Sequence, residues 1–151
     1  MNAAPIRPAL LVRVATHTCA LNLDHVIEVM RPLPIEALAG APDLVRGLSV
    51  IRGAPVPVVA LAALFDADGG TCTRFVVVRT GDKRVALAVE AVLGIREFAR
   101  ADYQVMPPLL RDAARGAVET VGALDAELLF VLNTASIIPE ELLNSLAGQE
   151  R

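Results

Sequence analysis

The segment that decides the fold runs from Ala41 to Phe65 and reads A-P-D-L-V-R-G-L-S-V-I-R-G-A-P-V-P-V-V-A-L-A-A-L-F. Glycine adopts backbone angles that are closed to other residues, so Gly53 is predicted to lie in a turn. The turn would join two strands, Gly47–Ile51 and Pro55–Leu61. Because proline cannot donate a hydrogen bond to a ladder, the two prolines of the second strand should face one way, at an edge or a bulge.

One basic residue, Arg52, stands at the tip of this otherwise apolar hairpin. A guanidinium fixed on a rigid turn makes a better docking point than a mobile lysine, which suggests a binding role. Turns usually carry polar residues that face solvent, so Arg52 can equally be interpreted as a solvated turn residue. Residue types alone favour the second interpretation.

The composition is that of a folded, strand-rich chain. It has 151 residues, enough for one ordinary domain or two very small ones, and 54% of them are hydrophobic. That content argues against disorder, which requires low hydrophobicity and high charge. The apolar residues are aliphatic, with 3% aromatics and no tryptophan, and the β-branched residues among them favour strands.

Charge and hydropathy exclude some classes of function. The net charge is −3 and no basic block is present, which disfavours nucleic-acid binding. The mean hydropathy is +0.53, yet no apolar run approaches the roughly 20 residues that span a bilayer. Met1–Pro8 lacks the apolar core of a signal peptide, so a cytoplasmic location is expected. The two cysteines, Cys19 and Cys72, fit a reducing compartment.

An internal repeat appears when the chain is shifted against itself by 66 positions, which lays Ala9–Val29 over Phe75–Ile95 without a gap. Five positions are identical, including the adjacent pairs Val12-Arg13 and Val78-Arg79. Val121–Leu132 echoes Gly47–Leu61 at a slightly larger offset. Any two hairpins rich in Val and Leu look alike, but the ungapped match favours duplication.

The duplication predicts two halves, each made of a hairpin, a short turn with an acidic cap at Asp24 or Glu90, a linker and a second hairpin. Closing each half into a small barrel would remove exposed sheet edges. The expected fold is therefore all-β, or mainly β: two small β-barrels packed as a pseudo-duplicated pair. Short helices are expected at Leu109–Arg115 and, as a C-terminal helix, at Pro139–Ala147.

The residue types needed for catalysis or metal binding do not form a convincing site. His17, Cys19 and His25 are clustered, but a structural zinc site needs four ligands and Cys72 lies far along the chain. No G-x-S-x-G motif, phosphate loop or His–Ser pair is present. We therefore expect a protein without enzymatic activity, metal or cofactor, and one that binds other proteins.

The chain resembles the chemotaxis coupling proteins of the CheW family over nearly its whole length. The first half contributes Ala20-Leu21-x-Leu23-x-x-Val26-x-Glu28-Val29 and Val45-x-Gly47-x-x-x-Ile51-Arg52-Gly53-x-x-x-Pro57-Val58-Val59-x-Leu61. The second half contributes Val85-Ala86-Leu87-x-Val89-Glu90-x-Val92 and Gly122-x-Leu124. The resemblance implies two five-stranded, SH3-like barrels around a shared hydrophobic core.

The resemblance also implies a domain division. A single CheW-like domain would span residues 8–147, with barrel subdomains at about 17–73 and 75–135 and strands that exchange between them. Residues 1–7 and 148–151 would be flexible termini.

In function, the resemblance implies an adaptor that binds the cytoplasmic tip of chemoreceptors and the regulatory domain of a CheA-type histidine kinase, at receptor arrays on the inner membrane. The positions that match the family's binding surface are Val26, Glu28, Val29, Gly47 and Arg52. Val26 and Val29 would offer an apolar strip to a receptor helix hairpin, although either could instead be core. Glu28 and Arg52 would set the register by charge.

Three positions depart from the family pattern. Val50 stands where asparagine is usual, and Ala60 and Asn133 stand where aspartate is usual. The fold expectation does not depend on them, but the choice of partner can. The alternative function is a small β-barrel module that binds another ligand or protein outside a chemosensory array.

Overall fold

The computed structural model describes residues 7–65, 71–98, 103–105, 118–124, 127–134 and 137. In these ranges the chain forms eleven strands and two short 3-10 helices. The elements are β1 (Arg7–Val14), β2 (His17–Asn22), η1 (Leu23–His25), β3 (Val26–Met30), β4 (Val45–Ile51), β5 (Ala54–Ala60), η2 (Leu61–Phe65), β6 (Arg74–Thr80), β7 (Lys83–Val89), β8 (Ala91–Phe98), β9 (Tyr103–Val105), β10 (Val118–Leu124) and β11 (Glu127–Leu132).

The strands build two sheets, which confirms the predicted mainly β fold. One sheet has the predicted five strands, in the order β3-β6-β7-β5-β4. The other has the order β8-β1-β2-β11-β10-β9, with the three-residue β9 as a sixth strand at its edge. Closure of either sheet into a barrel stays a prediction.

The two copies of the repeat pair in the same register. Ala9 lies opposite Asn22 in the β1–β2 hairpin, and 66 residues further on Phe75 lies opposite Ala88 in the β6–β7 hairpin. The third strand of each copy crosses to the other one, because β3 pairs with β6 whereas β8 pairs with β1. Each sheet therefore takes strands from both copies.

The second pair of hairpins is also equivalent. Val45 pairs with Val59 in β4–β5, and Val118 pairs with Leu132 in β10–β11. Val118 lies 73 positions after Val45, and Leu132 lies 73 positions after Val59. A bulge follows Val45 and an equivalent one follows Val118. The offset of 73 places Thr120, not Gly122, at the position of Gly47.

The buried side chains of the described residues form three clusters. The largest contains residues of both sheets, such as Val12 and Leu21 from one and Val76 and Leu87 from the other, and it is the shared core that was predicted. Because successive strand residues face opposite ways, each sheet has a second apolar face. That face carries one cluster in the five-stranded sheet, around Phe75, and a smaller one in the six-stranded sheet.

The β1–β2 turn lies at Ala15–Thr16. One local detail differs from the sequence-based expectation. The short helix after β2 is capped by Asn22, whose side chain accepts a hydrogen bond from the Asp24 amide at 3.0 Å, so Asp24 is not the cap. The predicted helices at 109–115 and 139–147 and the tip residues 125–126 lie outside the described residues.

The two prolines of β5 lie at an edge of the sheet ladder, as the sequence predicted. Pro55 and Pro57 pair with β4 on one side, while β7 pairs with β5 only over Val58–Ala60. The missing amide donors therefore fall in the part of β5 that extends beyond β7. In the part of the chain that the structure describes, no helix has the length and hydropathy to cross a bilayer.

Candidate docking surface

The tip of the β4–β5 hairpin is a two-residue turn of Arg52 and Gly53, with Ile51 opposite Ala54. Both turn residues have positive φ, 54° for Arg52 and 80° for Gly53. Positive φ at both central positions is the type I′ pattern, whose twist matches that of the flanking strands. Asparagine and glycine are preferred at the first of these positions, so an arginine here points to a role for its side chain.

An ion pair joins this tip to the edge strand β3. Arg52 Nη2 donates to Glu28 Oε1 at 2.8 Å and Arg52 Nε donates to Glu28 Oε2 at 3.2 Å. The two parallel bonds fix the plane of the guanidinium. The Arg52 side chain nevertheless stays 70% exposed, whereas that of Glu28 is 22% exposed. The pair therefore holds the guanidinium in place at a solvent-accessible position.

The same contact changes the acidity of both groups. The hydrogen bond from Arg52 holds the pKa of Glu28 below its ordinary value, and the charge of Arg84 lowers it further. The hydrogen bond to Glu28 raises the pKa of Arg52. A carboxylate with a lowered pKa keeps its charge as the pH falls, so the ion pair survives into mildly acidic conditions.

The structure shows which of the two valines of β3 belongs to the core. Val26 and Val29 pair with Val78 and Val76, so both lie on the side of the shared core. Val26 packs against that core, whereas Val29 is 42% exposed. Of these two valines, therefore, only Val29 offers exposed apolar surface, next to Glu28 in the chain but on the other face of β3.

Gly47, the fourth predicted site residue, is buried and presents no surface of its own. It lies in the β4 bulge with φ +147°, and a Cβ built on it would lie 2.1 Å from the carbonyl oxygen of Glu36. Leu48 exchanges two backbone hydrogen bonds with Glu36, at 2.8 and 2.9 Å. Ser49 Oγ donates to the Pro34 carbonyl at 2.8 Å. Gly47 thus lets the linker after β3 lie against β4.

Sequence reasoning missed Val50 as a surface residue. Its side chain is 69% exposed, two residues before Arg52, because buried and exposed residues alternate at the end of β4. The sequence pattern indicated the opposite, because the polar Ser49 lies on the buried side and the apolar Val50 on the exposed side. We call Glu28, Val29, Val50 and Arg52 the docking surface.

The candidate metal ligands are used elsewhere in the fold. The His17 ring stacks on Phe65 at 4.2 Å and meets Phe130 edge-on at 5.3 Å. His25 Nδ1 lies 2.7 Å from Thr134 Oγ1. Cys19 is fully buried in the shared core. Among the described residues, no three metal-ligating side chains come together.

Burial raises the pKa of the Cys19 thiol from 9.0 to about 12. The folded state therefore keeps a proton that the unfolded chain releases above pH 9, so the free energy of unfolding should decrease from about pH 9 toward pH 12. Urea unfolding of wild type and Cys19→Ala should show a stability gap about 2 kcal/mol smaller at pH 10.5 than at pH 8. Cys72→Ala is the control, because Cys72 is only partly buried. Parallel pH curves for wild type and Cys19→Ala would contradict the prediction.

The turn geometry predicts the effect of Arg52→Asn on stability. Asparagine tolerates the left-handed region, and Asn-Gly is a strongly preferred type I′ pair, so the gain at the turn should offset the lost ion pair. The melting temperature should stay unchanged or rise by a few degrees in differential scanning calorimetry. Ala15→Gly, at the other non-glycine residue with positive φ (55°), is the control away from the ion pair. A large drop in melting temperature for Arg52→Asn but not for Ala15→Gly would show that the ion pair stabilises the fold.

The fold defines a class: a β module with two sheets, a shared core and an arginine-tipped hairpin. A family model for the CheW-like domain matches residues 8–142, and the chain belongs to that family. The family is one of non-enzymatic scaffolds and adaptors, which confirms the prediction that this chain is not an enzyme.

Individual relatives agree with this assignment. The chain is 25% identical over 138 residues to "Chemotaxis protein CheW" of Rhizobium meliloti (strain 1021), covering 89% of each chain. It is 24% identical over 137 residues to a "Probable chemotaxis protein CheW" of Rhizobium etli, covering 89% of this chain and 88% of the other. The crystal structure of the scaffolding protein TtCheW from Thermoanaerobacter tengcongensis has the same fold, with a TM-score of 0.79 and 19% identity over 89% of each chain.

Proposed function

We propose that this chain is a signalling adaptor that couples chemoreceptors to a CheA-type histidine kinase in a bacterial chemosensory pathway. It would bind the cytoplasmic tip of a methyl-accepting chemotaxis protein and the regulatory domain of the kinase. It would work in the cytoplasm and be recruited to receptor arrays at the inner membrane. Family membership supports the adaptor role in general, and the docking surface supports the receptor contact.

The observation that carries the receptor contact is the anchored arginine. Glu28 takes two of the N–H groups of Arg52, and an arginine has five, so further donors stay free for a partner. Because the guanidinium is already fixed by Glu28, binding would cost less side-chain entropy than it would for a free arginine. That preorganisation suits recognition of a carboxylate or a carbonyl on the partner.

The apolar part of the contact comes from the two exposed valines. Val29 follows Glu28 and Val50 lies two residues before Arg52 in the sequence, and their side chains are 42% and 69% exposed. A receptor helix hairpin could lay apolar residues on them, as in other helix-docking interfaces. Gly47 and Val26 would contribute indirectly. Gly47 allows the linker to pack against β4, and Val26 packs against the shared core.

A binding experiment tests the proposal. The chain, a chemoreceptor cytoplasmic fragment and the kinase regulatory domain are mixed in pairs and together, then separated by size-exclusion chromatography. We expect each pair that contains the chain to co-elute and all three proteins to form one complex. Wild-type chain that binds neither protein at tens of micromolar would overturn the adaptor role.

A further inference from the structure

The six-stranded sheet has a cavity where the five-stranded sheet is filled. The offset of 66 makes Ala9 the equivalent of Phe75, and Arg96 that of Met30. Phe75 is fully buried and Met30 packs against its cluster. Among the described residues of the six-stranded sheet, the buried cluster on this face is Ala9, Leu11, Ala20 and Leu129, with Val131 packed against it. A cavity of about 240 Å³ lies on this face, and Leu11 and Arg96 are among the residues that line it.

The lining of this cavity combines an apolar floor with charged walls. Leu11 lies at the bottom, and Arg13, Arg96 and Glu127 stand around it. Thr18 is 2% exposed and donates a hydrogen bond from Oγ1 to Glu127 Oε2 at 3.3 Å. Within the described residues, neither Arg13 nor Arg96 forms an ion pair. Two guanidinium groups against one carboxylate make the cavity locally positive in a chain whose net charge is −3.

The rim of the cavity is apolar and exposed. Leu93 of β8 lines it, and its side chain is 46% exposed. Leu93 precedes Gly94, which is equivalent to Glu28 and has open space where a Cβ would lie. Ile95 pairs with Leu10 of the shared core, so its side chain faces the other side of the sheet. The acidic group that neutralises Arg52 in the other half is therefore missing here. The rim can contact a second apolar group while the arginines hold a charged one.

We propose that this cavity is a docking site for an acidic, aliphatic peptide segment of a partner protein. One Glu or Asp side chain would lie between Arg13 and Arg96, and an aliphatic neighbour would cover Leu93. The volume of about 240 Å³ is below that of typical small-molecule pockets and suits one or two side chains. The site lies on the six-stranded sheet, apart from the docking surface, and does not depend on the proposed function.

Peptide titration followed by amide NMR tests the site. The probes are acetyl-Leu-Glu-Leu-amide and acetyl-Leu-Gln-Leu-amide, which differ only in the charge. The glutamate peptide should shift the amides of Leu11, Thr18 and Gly94 with millimolar affinity, about fivefold tighter than the glutamine peptide. Arg13→Gln and Arg96→Gln should each remove that preference.

The duplication supplies a matched control, because Arg79 is the exposed equivalent of Arg13 on the other sheet. Arg79→Gln should leave the preference for the glutamate peptide unchanged, and the amide spectra of all variants report whether they fold. The proposal is overturned by a lack of shifts at the cavity, by equal binding of the two peptides, or by an equal loss in Arg79→Gln. If inorganic phosphate produced the same amide shifts at the same concentration, the proposal would also be overturned, because the cavity would then be a simple anion site.

Discussion

Replacing Gly47 with alanine should destabilise the protein by about 3 kcal/mol, as measured by urea unfolding. The new Cβ would lie 2.1 Å from the Glu36 carbonyl oxygen, and the backbone at φ +147° is itself strained for alanine. Glu36 cannot move away freely, because its amide and carbonyl both bond to Leu48. The loss should appear as a lower urea midpoint.

Gly53→Ala is the matched control for this variant. Gly53 also has a positive φ, 80°, but no atom lies within 4 Å of its added Cβ. It should therefore show the backbone strain alone, about 1 kcal/mol. If Gly47→Ala cost no more than Gly53→Ala, the linker would yield without loss and the close approach to Glu36 would not matter.

Arg52→Glu should weaken binding of a chemoreceptor cytoplasmic fragment at least tenfold while the protein stays folded. The substitution replaces the anchored donor with an acceptor and places two carboxylates side by side at the docking surface. Isothermal titration calorimetry measures the affinity, and calorimetric melting checks the fold. A fall in melting temperature that matches the fall in binding would instead make Arg52 a structural residue.

The double variant Glu28→Arg, Arg52→Glu separates two explanations of that loss. It restores an ion pair of opposite orientation, so a purely structural role of the pair predicts recovered binding. The proposed direct contact of Arg52 predicts that binding stays weak while the melting temperature recovers. Arg52→Asn should give the same weak binding without a like-charge pair.

The sequence was sufficient to predict the features that depend on residues close together in the chain. Arg-Gly between two apolar runs predicted the hairpin tip, and the ungapped repeat predicted equivalent strands with equivalent registers. The crossing of β3 and β8 between the copies was expected only from the family resemblance, because alternation along a strand does not identify its partner.

Other features depend on contacts between distant residues. Val26 and Val29 are three apart and should face opposite ways, but a bulge between Val26 and Glu28 brings both to the core side. The role of Gly47 depends on Glu36, eleven positions earlier, and the cavity is lined by residues of four strands, β1, β2, β8 and β11. Neither relation is visible in a local pattern.

Two of the three departures from the family pattern fall in equivalent places. Ala60 and Asn133 are 73 residues apart, so the hairpin offset makes them counterparts at the ends of β5 and β11. Val50, the third departure, is an exposed apolar residue of the docking surface. An asparagine there would make the surface more polar, so Val50→Asn is the substitution that tests whether this position changes receptor choice.

The most direct test of the adaptor role is kinase control in a reconstituted system. Receptor-containing membranes and a CheA-type kinase are assayed for ATP-dependent autophosphorylation, with and without this chain and with receptor ligand added or omitted. The proposed function predicts that receptor ligand changes kinase activity only when the wild-type chain is present, and that Arg52→Glu removes most of the response. Kinase activity that responds to ligand equally with and without the chain would contradict it.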